Sequence, residues 1–283
     1  MTKKVLLAHT GGTIGMRRGR RGYAPSPGYL SELLARMPEL NDPSLPAIEL
    51  VEFDPLLDSA DMAPSDWSRI ASEIARRHDA VDGVVVLHGT DTMAFTSSAL
   101  SFMLEGLAKP VIVTGSQVPL AEPRSDAREN LIASLQIAAL PGLHEVCVYF
   151  SGQLLRGNRA TKVSASGFDA FASPNEAPLA TVGVGIELRR GATRPAQPGP
   201  LRVHELRDVT VAAVRLFPGV SARFMAHVLQ EPLEGLVLET YGAGNAPTRD
   251  PRLLAELASA VERGVVVVNT TQCLRGRVDM RGY

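Results

Sequence analysis

Short, uninterrupted apolar runs alternate along the chain with longer stretches in which apolar residues recur every three or four positions. The runs predict strands at Val5–Ala8, Ala47–Phe53, Gly83–Leu87, Pro110–Thr114, Glu145–Phe150, Val209–Leu216, Gly235–Glu239 and Val265–Asn269. Val84-Val85-Val86 and Val265-Val266-Val267-Val268 show no polar alternation, as expected of parallel strands covered by helices on both faces. The longer stretches predict helices over Ser65–Arg77, Ala94–Leu104, Ala127–Ala139, Ser221–Leu229 and Pro251–Arg263. In the first of these, Trp67, Ile70, Ala71 and Ile74 share one face, with charges opposite. Together the alternation predicts an α/β fold built on an open, doubly wound, mostly parallel sheet.

The pattern breaks at Arg189–Pro200, where Pro195, Pro198, Pro200, Gly191 and Gly199 resist both helix and central strand. The sequence therefore divides into a larger N-terminal domain over 1–188, a linker over 189–204, and a smaller C-terminal α/β domain over 205–283. A length of 283 residues suits two domains. Lys and Arg number 29 against 30 Asp and Glu, a formal net charge of -1 that provides no bulk attraction to nucleic acid or anionic lipid. With 45% hydrophobic and 21% charged residues the chain has material for a sizeable core, which argues against global disorder. No apolar stretch approaches a membrane span, and Val5–Ala8 is too short for a secretory signal. Two cysteines, Cys147 and Cys273, are too few for a disulfide framework and suit a reducing cytoplasm.

Candidate chemistry lies at the strand ends. The first strand runs into His9-Thr10-Gly11-Gly12-Thr13-Ile14-Gly15, and the third into His88-Gly89-Thr90-Asp91-Thr92. Ligands of open α/β sheets bind at this edge, and glycines there let the backbone approach closely. Neither loop is a P-loop or a dinucleotide fingerprint, because G-x-x-x-x-G-K-[ST] and G-x-G-x-x-G are both missing. A helix cap, worth about 1 kcal/mol, would account for Thr90 or Asp91 alone. It does not account for Gly-Thr at two strand ends of one sheet. Two facing threonines would provide a hydroxyl nucleophile and a proton relay, and such a nucleophile needs a base. Lys162, in Arg156-Gly157-Asn158-Arg159-Ala160-Thr161-Lys162, is the candidate; taken alone it would be an ordinary surface lysine. The six histidines show no H-E-x-x-H or comparable metal spacing.

With these residues in place, the chain resembles the bacterial type I (cytoplasmic) L-asparaginases. The resemblance rests on Thr10-Gly11-Gly12-Thr13-Ile14-Gly15, Leu57-Asp58-Ser59-Ala60-Asp61-Met62, His88-Gly89-Thr90-Asp91-Thr92-Met93 and Thr114-Gly115-Ser116-Gln117. Arg156–Lys162, Gly167-Phe168-Asp169-Ala170-Phe171 and Tyr241-Gly242-Ala243-Gly244-Asn245 continue it in the family's order along the whole chain. It implies hydrolysis of L-asparagine to L-aspartate and ammonia through a threonine acyl-enzyme, with no cofactor and no metal. Thr13 matches the nucleophile, Tyr23 the tyrosine that hydrogen-bonds it, and Thr90, Asp91 and Lys162 the second triad. Asp58, Ser59, Ala60, Thr90 and Asp91 match the substrate pocket, with Asp91 facing the ammonium and Ser59 and loop N–H groups facing the carboxylate. Backbone amides at Gly89-Thr90 are the candidate oxyanion donors.

Asn245 matches a position that reaches a neighbouring subunit's site, which implies a homodimer or dimer of dimers. Thr161, Thr270 and Cys273 match an allosteric asparagine site, but Glu239 stands where that site has an arginine, and the reversed charge argues against such allostery. Cys273 is then expected to be a small buried side chain. The basic run Met16–Gly22 is expected to be a solvated lid hinged at Gly15 and Gly22. Relatives continue past Tyr283, so the second domain is expected to be incomplete. Two other readings use the same motifs: an ammonia-releasing amidotransferase subunit for transfer-RNA amidation, disfavoured because no domain for nucleic-acid recognition is apparent, and a non-catalytic amino-acid-binding module. The latter predicts loss of Thr13, Thr90, Asp91 or Lys162, and all four are present.

Overall fold

The computed structural model describes residues 2–20, 22–197, 199–279 and 281. Arg21 of the basic run, Pro198 of the proline-rich stretch, and Met280, Gly282 and Tyr283 lie outside the described residues. The chain forms two compact units, Met1–Leu206 and Arg207–Tyr283.

The first unit is built on an eight-stranded sheet. Its strands are β1 (Lys4–Gly11), β2 (Ala47–Leu57), β3 (Gly83–Leu87), β4 (Val111–Thr114), β5 (Val146–Phe150), β6 (Gln153–Arg156), β7 (Ala180–Val182) and β8 (Ile186–Leu188). They lie in the order β8-β7-β6-β5-β4-β3-β1-β2. The five strands from β5 to β2 are parallel, and β6, β7 and β8 close one edge antiparallel. The chain leaves β1 for β2 on one side and returns to β3 on the other, so the strand order reverses between β1 and β3. A crevice forms at such a switch point, at the carboxyl ends of the strands.

Alternate residues of the parallel strands fill two cores, which is why the strand sequences are continuously apolar. Leu6, Ala8, Val84, Val86, Val111 and Val113 pack on one face with Ile70 and Ile74 of α1 (Pro64–Arg77) and Leu100 of α2 (Met93–Met103). Val5, Leu7, Val85, Leu87 and Ile112 pack on the other with Leu131 and Leu135 of α3 (Ala127–Ala138) and Leu30 of a short helix, Tyr29–Leu34. Pro64 in the first turn and an Asp66 carboxylate accepting the Ala63 N–H at 2.9 Å start α1.

The proline-rich stretch is tied to this first unit rather than hanging free. Arg156 Nη2 donates to the Ala192 carbonyl at 2.6 Å, the Arg194 N–H donates to Glu145 at 3.0 Å, and Arg202–Val203 pairs antiparallel with Leu104–Glu105. Prolines remove N–H donors but leave carbonyls and neighbouring residues able to bond.

The second unit holds three parallel strands, β9 (Val211–Arg215), β10 (Gly235–Thr240) and β11 (Val266–Thr271), in that order. Helices α4 (Ala222–Val228) and α5 (Pro251–Glu262) cover one face through Met225, Leu253 and Ala260. The other face is open: Val211, Val266 and Val268 are 57%, 66% and 53% exposed. Cys273 is exposed, contrary to the expectation of a buried thiol, because it follows the end of β11 in a bend outside the sheet.

Candidate active site

The register of β1 against β3 pairs Ala8 with Val86 and His9 with Leu87, so the two Gly-Thr loops leave the sheet at one level. They then pack backbone to backbone. A Cβ on Gly12, whose φ is +84°, would lie 2.4 Å from the Gly89 nitrogen. The end of β2 joins them. Its pairing with β1 shifts between His9 and Gly11, so that Gly11 faces Leu57, and the Gly12 N–H donates to the Leu57 carbonyl at 3.2 Å. Ser59, two residues on, is buried, and its Oγ would lie 2.3 Å from a Cβ on Gly89. Three strand ends thus converge with no room for side chains at Gly12 or Gly89.

Thr13 opens a 3-10 turn, Thr13–Gly15, and is half-buried. Ile14 is fully buried, and its carbonyl accepts the Leu120 N–H at 3.2 Å, which anchors the turn. Gly15 is held as well: a Cβ there would lie 2.7 Å from the His9 ring, so packing leaves it little freedom as a hinge. Thr10 takes a different path from Thr13, donating to the Leu87 carbonyl at 2.8 Å from within the sheet. His9 is buried and pairs through Nδ1 with Glu52 at 3.1 Å; burial holds its pKa below the ordinary histidine value despite that partner.

The second cluster is fully assembled. Lys162 Nζ donates to Thr90 Oγ1 at 2.8 Å and to Asp91 Oδ1 at 2.7 Å. Thr90 Oγ1 donates to Gln117 Oε1 at 3.1 Å, so its hydroxyl does not cap α2. Lys162 is carried here by a short strand, Thr161–Lys162, paired with Phe171–Ala172. Asp58 caps the Ser59–Asp61 turn through the Ala60 N–H at 3.0 Å, and Thr92 Oγ1 donates to the Ser59 carbonyl at 2.7 Å.

Tyr23 departs from the expected contact. Its hydroxyl donates to Glu122 Oε1 at 2.8 Å, not to Thr13, and this bond holds the phenol pKa above its ordinary value. The basic run explains the departure. Met16–Gly19 and Gly22–Pro25 form an exposed antiparallel hairpin that pairs Arg18 with Tyr23 and sets Tyr23 beside Glu122. Arg17 stacks its guanidinium over Tyr29 at 5.4 Å.

Asn245 belongs to the second unit. It closes a turn in which the Tyr241 N–H donates to the Asn245 carbonyl at 2.9 Å, and its side chain is exposed. Glu239 accepts from Arg215 Nε at 2.7 Å.

Two groups beyond the sequence-level candidates shape the site. Gln117 bridges Thr90 to the Gly167 carbonyl, donating to it at 3.0 Å, and Asp126 accepts the Gln117 and Val118 N–H groups. The signal for Gln117 was its place just beyond the carboxyl end of β4, the same edge that singles out Thr13 and Thr90. His88 is fully buried between Gly89 and Thr96, and its pKa is pushed down to about 4 by desolvation. Among the described residues no group of three or more His, Cys, Asp or Glu is placed to hold a metal ion, and no helix is long and apolar enough to cross a membrane.

The chain matches the profile of the family "Asparaginase, N-terminal" over residues 4–194 and of the "Glutaminase/Asparaginase C-terminal domain" over residues 210–283. It is 51% identical to L-asparaginase 1 of Escherichia coli K12 over 99% of this chain and 83% of that protein. The crystal structure of L-asparaginase I from Vibrio cholerae superposes with a TM-score of 0.93 at 45% identity, covering 100% of this chain and 85% of the other. The thermostable L-asparaginase from Thermococcus kodakarensis gives a TM-score of 0.87 at 36% identity, over 99% and 83%.

Proposed function

The chain belongs to the asparaginase family, and from that premise we propose that it is an L-asparagine amidohydrolase with Thr13 as nucleophile. One observation carries the assignment of residues: Lys162, distant in sequence from the adjacent pair Thr90-Asp91, reaches both at 2.8 and 2.7 Å, beside the loop that bears Thr13.

Thr13 Oγ attacks the side-chain amide carbon of asparagine. The C–N bond breaks, the hydroxyl proton leaves with the nitrogen as ammonia, and an aspartyl ester of Thr13 remains. Water then adds to the ester carbon, the C–O bond to Thr13 breaks, one water proton passes to Thr13 Oγ, and the other is taken up by ammonia, leaving aspartate and ammonium. The Thr90 N–H, on the Gly89–Thr90 peptide, serves as an oxyanion donor, a contribution often worth about 3 kcal/mol. Asp91, 65% exposed in its side chain, faces the substrate ammonium, while Ser59 and the Asp58-Ser59-Ala60 backbone meet the carboxylate. Tyr23 is assigned to hydrogen-bond Thr13, its hydroxyl resting on Glu122 Oε1 in this structure. No cofactor enters this reaction.

A cytoplasmic location fits the two unpaired cysteines, one of them exposed. A homodimer or dimer of dimers, with Asn245 completing a neighbour's pocket, fits the exposed placement of that residue. The near-neutral charge offers no support for a nucleic-acid partner.

The test is ammonia release from asparagine by the purified protein, with glutamine assayed beside it. Wild type is expected to release ammonia and Thr13→Ala to lose at least about 1000-fold in kcat. A pocket fitted to the shorter side chain separates the two amides by about 1–3 kcal/mol. Equal ammonia release by Thr13→Ala would sink the nucleophile assignment.

A further inference from the structure

We propose that Trp67, Thr96 and His88 form a one-way hydrogen-bond chain that fixes the Gly89–Thr90 peptide plane and thereby aims the Thr90 N–H at the reacting carbonyl. The inference rests on the amidohydrolase reading above and concerns groups that touch neither substrate nor nucleophile.

The polarity of the chain follows from its two ends. The Gly89 carbonyl can only accept, so His88 Nδ1, 2.7 Å away, carries the proton. Burial keeps the imidazole neutral, which leaves Nε2 as an acceptor. Its partner at 2.8 Å is Thr96 Oγ1, which donates its one proton there in preference to the weaker thioether acceptor Met62 Sδ at 3.7 Å. The indole of Trp67 can only donate, and it does so to the same Thr96 oxygen at 3.0 Å. Read from either end, the protons point the same way: Trp67 to Thr96, Thr96 to His88, His88 to Gly89. Reversing any one bond would leave a donor facing a donor or an acceptor facing an acceptor.

The end of this chain is a peptide bond. The Gly89–Thr90 linkage is trans, so its N–H points opposite to its carbonyl. Holding the carbonyl on the buried imidazole holds the Thr90 N–H on the other side of the plane. The supports are rigid elements: Trp67 belongs to α1 and Thr96 to α2, both packed on one face of the sheet, and Thr96 and His88 are fully buried. Gly89 without a tether would be the softest point of the loop, since it has no side chain to pack. Trp67, Thr96 and His88 are therefore positioning residues, acting on catalysis through one backbone amide.

The test combines kinetics with a spectroscopic reading of the tautomer. Thr96→Val, close in shape but without the hydroxyl, is expected to lower kcat about 10-fold with KM within about 3-fold, part of the loss seen when an oxyanion donor is removed outright. Thr96→Ser restores the hydroxyl and most of kcat, and Trp67→Phe, one bond further from the peptide, loses less than Thr96→Val. Nitrogen-15 NMR of histidine-labelled wild type is expected to show His88 as the neutral Nδ1–H tautomer at pH 7. Full kcat in Thr96→Val, a deficit confined to KM, a Ser variant no better than Val, or an Nε2–H tautomer would each overturn the proposal. Wild-type protein that releases no ammonia would overturn the amidohydrolase reading instead, while the tautomer still reports the polarity of the chain.

Discussion

At the residue scale, His88 shows how a single buried group ties stability to pH. Burial pushes its pKa down to about 4, against 6.5 for a free imidazole. Between these values the unfolded chain binds a proton that the folded chain does not, so stability rises with pH across the window and falls as the solution is acidified from about 6.5 to about 4. At 1.36 kcal/mol per unit the full loss is about 3 kcal/mol. His9, also shifted down by burial, adds in the same direction. Thermal unfolding followed from pH 7 to pH 4 is expected to show a falling Tm that flattens in a His88→Asn variant; an equal slope in both would show that other groups set the acid sensitivity. None of this was legible in the sequence. His88 directly follows an apolar strand, but nothing in the residue string told that α1 and α2 would bury it against Thr96. Thr13, Thr90 and Asp91 were legible because polar residues directly after apolar strands stand out, whereas Lys162 was singled out only through its companions. Their mutual distances were not, since Lys162 arrives from a two-residue strand with no pattern of its own.

At the scale of elements, the site depends on how closely two loops approach. Gly12 and Gly89 meet backbone to backbone, and Gly12 has a φ of +84°, a region that L side chains rarely adopt. Gly12→Ala therefore combines backbone strain with a clash against backbone that cannot swing aside, for a loss on the order of 3 kcal/mol. The denaturation midpoint is expected to drop and activity to fall further than stability, because the displaced loops carry Thr13 and Thr90. Gly19→Ala is the control: in the exposed hairpin its Cβ would make only an ordinary 3.5 Å contact with the Gly22 carbonyl, so stability should change little. A Gly12 variant as stable as the Gly19 control would show that the strand ends can part. Hydrophobic runs revealed β1, β3, β4 and β5 because both faces of these strands are buried, whereas β6, β7 and β8 passed unnoticed. Those strands are short and expose polar residues such as Gln153 and Glu187, so neither length nor periodicity marks them. The basic hairpin was hidden for a related reason: its four arginine positions suggested solvent, and an exposed two-stranded ribbon is solvated all round.

At the scale of the whole molecule, the open question is whether one chain is enough for one site. Asn245 is exposed at a turn of the second unit, and the proposed assignment gives it to the pocket of a neighbouring subunit. That assignment has a consequence that a single-chain site lacks. Thr13→Ala lacks the nucleophile, and Asn245→Ala lacks the contributed contact, so each homo-oligomer should be impaired. In a mixed oligomer, one pocket would combine the intact Thr13 of the Asn245→Ala chain with the intact Asn245 of the Thr13→Ala chain. Co-expression of the two, or reassembly after mild dissociation, is therefore expected to raise asparagine hydrolysis several-fold above the sum of the separate variants. Where both residues serve the same chain's pocket, every mixed oligomer contains only damaged sites and no such gain can occur. Light scattering on the same samples supplies the second half of the argument, because complementation requires an assembly and a monomer would refute the shared pocket directly.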